Sequence, residues 1–147
     1  MSFNPDKTEI MIFSNTDVRY NFNFSFNGNN IPITKSHKHL GVTLTSDVKW
    51  NNHIENIILN VSRQLSILRK LKYRLSRQNL EKLHLVYIGK LFEYACEIWN
   101  NYGVCYSTKL EKLQLEAARI VTGLLIFTKS DQLYSEIRWA TLSSKKT

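Results

Sequence analysis

Two rhythms divide the chain. Up to about residue 46, apolar positions alternate or fall in short runs; from Trp50 onward they recur every three or four residues. Arg19 to Phe26 alternates strictly, with Tyr20, Phe22, Phe24 and Phe26 on one side and Arg19, Asn21, Asn23 and Ser25 on the other, which predicts a half-buried strand. Asn27-Gly28 then supplies residues that tolerate positive φ in a tight turn, and Ile31 to Thr34 return antiparallel. Glu9 to Ser14 reads as a short buried strand, and the segment from Leu40 to Thr45 completes a β unit of three or four strands. Gly41 interrupts that last strand. A glycine there marks a bulge or a close backbone approach.

The helical rhythm opens with Trp50, Ile54, Ile57, Ile58, Val61, Leu65, Leu68 and Leu71 on one stripe, and Asp47 is placed to cap that helix. A second helix is expected after Ser76, running to about Asn101. Its apolar residues (Leu80, Leu83, Leu85, Tyr87, Ile88, Leu91, Phe92, Tyr94, Ala95, Ile98 and Trp99) occupy more than one stripe, which predicts a central, buried position. Thr108-Lys-Leu-Glu111 has the capping-box pattern and opens a third helix, with Leu110, Leu113, Ala117, Ile120, Val121 and Leu124 inward and Gly123 near its end. A short fourth helix covers about Asp131 to Trp139. The fold class is α+β: a small antiparallel β unit over residues 1–46, then a bundle of three to four helices over residues 47–147. Neither half covers all of its own apolar surface.

Composition supports a globular chain, with 43% apolar and 22% charged residues in 147. Charge adds more. There are 20 Lys+Arg against 12 Asp+Glu, a net +8, and the excess is local. Arg63, Arg69, Lys70, Lys72, Arg74, Arg77, Lys82 and Lys90 face a single acid in that stretch, Glu81, so eight cations less one give +7 of the +8. Such a surface is either a solvated helix face or a contact for an anionic partner such as nucleic acid.

Chemistry is sparse. The aspartates (Asp6, Asp17, Asp47 and Asp131) are scattered, and Glu93 with Glu97 suits pairing with arginines better than metal binding. His37 and His39 share a strand face without a third ligand, His53 and His84 are isolated, and Cys96 and Cys105 lack zinc-like spacing and are expected as buried, reduced thiols. No Gly-rich phosphate loop or nucleophile elbow occurs. No metal site or catalytic constellation is expected. Nor is there an apolar run long enough for a signal peptide or membrane span, so the expectation is a soluble, intracellular chain with no membrane partner.

Four segments in order, "FNPDKTEIMIFS", "HKHLGVTLTSDVKWNNHI", "LVYIGKLFEYACEIW" and "KLEKLQLEAARIVTG", resemble the end of the palm and the thumb of a non-LTR (LINE, jockey-like) retrotransposon reverse transcriptase. The resemblance covers nearly the whole chain. It implies that Lys7, in Asn4-Pro5-Asp6-Lys7-Thr8, is the late-palm lysine near the incoming nucleotide; without the family, Lys7 simply closes a turn. It also implies that His39, Leu40, Gly41 and Val42 form a primer-grip-like hairpin, with Gly41 allowing close approach to the primer strand. The helices from Trp50 are then thumb-like, with Arg63, Arg69, Lys70, Lys72, Arg74, Arg77 and Lys82 holding a template–primer duplex by its backbone.

Two local departures stand out: Ile88-Gly89-Lys90 where the family commonly has an arginine-proline pair, and Leu124-Leu125 where a proline often follows Gly-Leu. The larger one is that the family's catalytic aspartates, which hold its magnesium, lie upstream of the lysine motif. The resemblance therefore implies a palm-end and thumb fragment that is no enzyme alone and holds no cofactor, located in nucleus or cytoplasm. Its expected partners are an RNA/DNA duplex, bound without sequence preference, and the missing palm and fingers or another protein on its apolar surface. The alternatives are a helical protein-interaction module derived from such an element, or a decaying copy without function.

Overall fold

Two pairs of left-handed residues build the β part. In this computed structural model, which describes residues 4, 7–14, 22–94, 103–137 and 139, β1 (Phe24–Phe26) pairs antiparallel with β2 (Asn29–Ile31), Phe24 opposite Ile31. Between them Asn27 (φ 51°) and Gly28 (φ 79°) form the turn. β3 (Ser36–His39) and β4 (Val42–Thr45) repeat the design, with His39 opposite Val42 and the turn made by Leu40 (φ 47°) and Gly41 (φ 83°). Positive φ at both central residues matches the turn's twist to that of the strands it joins. Gly41 is therefore the second turn residue of a hairpin, not a bulge inside a strand, and the strand starts at Val42.

Among the described residues the hairpins form two separate two-stranded sheets rather than one sheet of three or four strands. The segment from Glu9 to Ser14 forms no strand. Ile10 makes one parallel bridge with Ile33, its N–H donating to the Pro32 carbonyl (3.0 Å) and its carbonyl accepting from Thr34 (2.8 Å). Ile10, Met11 and Ile12 are half-buried, and Phe13 is exposed. Of the alternating aromatics, Phe22 and Phe26 are exposed, Phe24 is half-buried with its ring 5.9 Å from that of Phe22, and Tyr20 lies outside the described residues. Each ribbon has too few strands to cover its apolar face.

After β4 the chain turns on Asp47. Its carboxylate accepts the Thr45 hydroxyl (2.6 Å) and the Lys49 N–H (3.1 Å), an Asx turn that takes the place of the expected helix cap. The Thr45 hydroxyl and then the Lys49 N–H hold this carboxyl below its ordinary value. Val48, within the turn, has φ 56°, a costly backbone for a β-branched residue.

The chain divides into two compact units, Met1–His53 and Ile54–Thr147. Helix α1 (Asn51–Leu71) carries the predicted stripe, with Ile54, Ile57, Val61, Leu65 and Leu68 buried. Helix α2 (Arg77–Leu83) is capped by Ser76, whose hydroxyl accepts the Asn79 N–H at 3.4 Å. It runs on without a break through a π-helical turn (His84–Gly89) into α3 (Lys90–Glu93). This rod buries one stripe only: Leu80, His84, Ile88 and Phe92. In an α-helix, steps of four drift by about 40° around the axis; the wider π turn takes that drift back, so a strict four-residue repeat stays on one face. The rod is thus not central. Leu85, Val86, Tyr87 and Tyr94 are exposed, and Ala95, Cys96, Glu97, Ile98, Trp99 and the expected end near Asn101 lie outside the described residues.

Helix α4 (Val104–Thr122) starts four residues before the capping-box pattern. Thr108 instead donates to the Val104 carbonyl (3.0 Å), and Glu111 accepts from the Tyr134 hydroxyl. At its other end Gly123 (φ 75°) returns its N–H to Arg119, as expected of a C-terminal glycine. The buried face is Leu110, Gln114, Ala117, Ala118, Ile120 and Val121; Leu113 is half-buried, and Leu124, past the glycine, is exposed. Cys105 is exposed rather than buried. Helix α5 (Ser130–Ile137) buries Leu133 and Ile137 with Ala118, and Leu115, Tyr134 and Trp139 pack against them. The Trp139 ring stacks on the buried His84 ring at 3.7 Å and 13°. Burial, and then the bond to Glu111, holds the Tyr134 hydroxyl well above the ordinary phenol range. The architecture is α+β, two antiparallel hairpins followed by helices.

Three substitutions test this backbone reading by urea unfolding midpoint. Leu40→Asn stabilises by about 1 kcal/mol, because Asn tolerates the left-handed region that costs Leu. Gly41→Val destabilises by more than about 1 kcal/mol for the same reason. Gly89→Ala stabilises by roughly 0.5–1 kcal/mol, since the helical Gly89 has only the His84 carbonyl, at 3.7 Å, near an added Cβ.

Candidate nucleic-acid interface

The basic residues from Arg63 to Lys82 separate into two kinds once their partners are known. Arg69, on α1, pairs with Glu116 of α4. Arg77, at the start of α2, clasps Glu136 of α5 twice, Nη1 to the carboxylate at 2.6 Å and Nη2 to the backbone carbonyl at 2.9 Å. These two arginines join helices. By contrast Arg63, Lys70, Arg74 and Lys82 are exposed and make no ion pair among the described residues. The Lys72 ammonium lies 5.8 Å from the ring centre of Tyr73.

Helical spacing explains the division. Arg63 and Lys70 stand seven apart on one line of α1. Arg74 sits in the turn after α1, its N–H bonded to the Leu71 carbonyl at 2.9 Å. That turn also holds Tyr73, 89% exposed between Lys72 and Arg74. An exposed aromatic flanked by two cations offers a stacking surface beside phosphate contacts. Helical periodicity does not mark Tyr73; the signal for it in the sequence is an aromatic placed between Lys72 and Arg74.

In the other unit, the β3–β4 hairpin exposes His39, Leu40 and Gly41 at its tip, while Val42 is buried. His37 and His39 do share a face, their ring centres 6.4 Å apart, and His37 Nδ1 meets Glu9 Oε2 at 2.9 Å. Lys7 is exposed, with its N–H on the Asn4 carbonyl (3.2 Å), in the turn that Thr8 also closes. Pro5 and Asp6 of that motif lie outside the described residues. Of the aspartates, Asp47 is held in its turn, Asp131 is in the first turn of α5, and Asp6 and Asp17 lie outside the described residues. Among the described residues no three His, Cys, Asp or Glu side chains gather as metal ligands. No helix among them is long and apolar enough to cross a membrane.

One histidine supports the hairpin. His39 and Val42 flank the two-residue turn, so the next pair, Lys38 and Thr43, is of the non-hydrogen-bonded kind and the Thr43 N–H points out of the ladder. His53 Nδ1 accepts it at 3.2 Å, and the Trp50 ring meets the imidazole edge-on at 6.4 Å. This bond requires an unprotonated Nδ1. Burial, and secondarily the Lys38 ammonium, keeps His53 below the ordinary value of 6.5.

Comparison with known proteins adds a relationship. The chain is 22% identical over 115 residues to the "Probable RNA-directed DNA polymerase from transposon X-element" of Drosophila melanogaster. The match covers 76% of this chain and 13% of that protein, so the chain spans a small part of its relative. It supports a reverse-transcriptase-related, transposon origin. No family model matches the chain, and no solved structure does.

His53 predicts a pH dependence. A histidine whose folded pKa is depressed contributes stability fully above its unfolded value and loses it as pH falls through the folded one. Unfolding midpoints of the protein are therefore expected to drop as pH falls below about 6.5. In His53→Asn, whose amide oxygen can accept the same N–H without titrating, the drop should shrink. An equal drop in both would remove His53 as its source.

Proposed function

We propose that this chain is the palm-end and thumb part of a jockey-like non-LTR retrotransposon reverse transcriptase, holding an RNA/DNA template–primer duplex by its backbone. The observation that carries this reading is the similarity to the X-element polymerase over most of the chain. The exposed Arg63, Lys70, Arg74 and Lys82 support it, with Lys72 and Tyr73 beside them. Arg69 and Arg77 contribute indirectly, because they fix the helices that present the others. In this reading the β3–β4 hairpin, with His39, Leu40, Gly41 and Val42, is the primer-grip counterpart, and Lys7 is the late-palm lysine. Binding is sequence-independent because phosphate contacts position a nucleic acid without reading it. In this reading the chain alone does not polymerise: its four aspartates lie far apart in sequence, and nucleotidyl transfer uses magnesium ions held by clustered carboxylates.

Fluorescence anisotropy with a labelled RNA–DNA hybrid tests the reading. Four neutralised phosphates predict a slope of log K against log salt of about −3.6, roughly a hundredfold weakening from 50 to 200 mM. Lys70→Gln with Arg74→Gln should flatten the slope by about 1.8. Arg69→Gln and Arg77→Gln should instead lower the unfolding midpoint and leave the slope nearly unchanged. A protein that ignores the hybrid at 50 mM salt, or binds it independently of salt, is not this part of a polymerase. Primer extension by the chain with magnesium or manganese should yield no product.

A further inference from the structure

The rod of α2, π turn and α3 leaves a hydrophobic surface uncovered where it meets α1. Ile67, Leu68 and Leu71 from α1 and Leu83, Tyr87 and Ile88 from the rod enclose a mostly apolar groove of about 280 Å³, to which Gln64 and the Tyr87 hydroxyl add polar groups. Ile67 and Tyr87 are 52% and 55% exposed, so the groove opens to solvent beside these two side chains. Val86 beside them is exposed as well. A soluble surface rarely keeps such a continuous apolar strip without an occupant.

The rim says which occupant. Arg63 and Lys70 stand four residues before and three after Ile67, the spacings that share a helix face. On the rod, Lys82 and Lys90 flank Val86 at four residues on either side. All four cations are exposed. Positions 60, 63, 67 and 70 of α1 and 79, 82, 86 and 90 of the rod hold no carboxylate; the rod's acids, Glu81 and Glu93, fall in line with Leu85 and Gly89 instead. A nucleic-acid backbone suits the rim but not the floor, because phosphates keep their water and gain nothing from aliphatic side chains. A second copy suits the floor but not the rim, since each chain carries +8. An occupant with apolar side chains along one line and carboxylates on both flanks satisfies both. From Gln64 to Leu71 the α1 wall is roughly 10 Å long, about two helical turns.

We propose that this groove docks an acidic amphipathic helix of a partner protein. Apolar side chains spaced three and four apart fill the space between Ile67 and Tyr87, and Asp or Glu on either side face Arg63, Lys70, Lys82 and Lys90. This is the helix-in-groove mode of recognition, in which buried apolar anchors give affinity and charges set orientation. The proposal does not rest on duplex binding, although the two share rim cations and so are expected to compete.

The test uses the full chain and a labelled peptide of about 16 residues, long enough to form a helix, with leucines at helical spacing and glutamates flanking them. Saturable one-to-one binding is expected by anisotropy. A peptide of equal composition with the leucines out of helical period, and one with lysines for the glutamates, should each bind at least about tenfold more weakly. Ile67→Ser and Tyr87→Ser, at positions exposed enough to spare the fold, should each weaken the helical peptide by about tenfold or more and leave hybrid-duplex affinity unchanged. Equal binding of the out-of-period peptide would overturn the proposal, since charge alone would then explain it. So would indifference to both substitutions, or no saturation by about 1 mM peptide. Loss of duplex affinity in Ile67→Ser would assign the floor to nucleic acid, and concentration-dependent dimers abolished by Tyr87→Ser would assign it to a second copy; either result overturns the proposal.

Discussion

Burial of one stripe on α1 is the constraint from which the helical unit follows. Ile54, Ile57, Val61, Leu65 and Leu68 are almost fully removed from water, and each such side chain contributes about 1.5–3 kcal/mol relative to exposure. That burial fixes the rotation of the helix about its own axis. Once it is fixed, the positions that carry Arg63 and Lys70 have no choice but to face outward, and Arg69 is brought to Glu116. The placement of charge is thus a result of where the hydrocarbon goes, not of attraction among the charges, which are nearly all of one sign in this stretch.

Function divides along the same line. A cation already paired to a carboxylate has little field left to offer a ligand, so the raw count of lysines and arginines overstates the anion-binding surface. Arg77, held by both the carboxylate and the carbonyl of Glu136, ties the start of α2 to α5. Between Arg63 and Lys90, the cations without such partners lie on α1, on its following turn and on the rod. Tyr73 and the apolar strip of Ile67, Val86 and Tyr87 lie in those same segments. On the proposed reading, phosphate contact and hydrophobic docking would draw on neighbouring positions of this surface.

Much of this was legible in the residues. The stripe of α1, the helix start after Ser76, the terminus at Gly123 and the Asn27-Gly28 turn follow from local rules, and each lies where its signal does. The errors have identifiable physics. Leu40-Gly41 escaped as a turn because leucine rarely takes positive φ, so only half of the turn signature was present. The capping box at Thr108 was overridden because helix propensity extends back to Val104, turning a cap into an internal side chain. The rod was expected at the centre because its residues are apolar on several sides; apolarity implies burial only when something covers it, and no periodicity reports on what is absent. For the same reason Leu125, Ile126 and Phe127, an apolar run, are exposed after α4. Glu116 and Glu136 were not foreseen as the arginines' partners, because pairs 47 and 59 residues apart leave no local trace.

The π turn has a consequence for how this chain tolerates changes in length. A π turn is an α-helix with one residue too many, and deleting any one residue between His84 and Gly89 would heal the hydrogen-bond pattern locally. The repair would also keep the rod in phase. An α-helix advances by about 100° per residue, and the widened turn absorbs one residue without that advance, so deletion there would leave Phe92 in the core and Lys90 on its present face. A residue removed or added elsewhere in the rod would instead turn every later side chain by about 100°. The π turn is therefore a reserve of length: the rod can shorten there by one residue and still present the same faces.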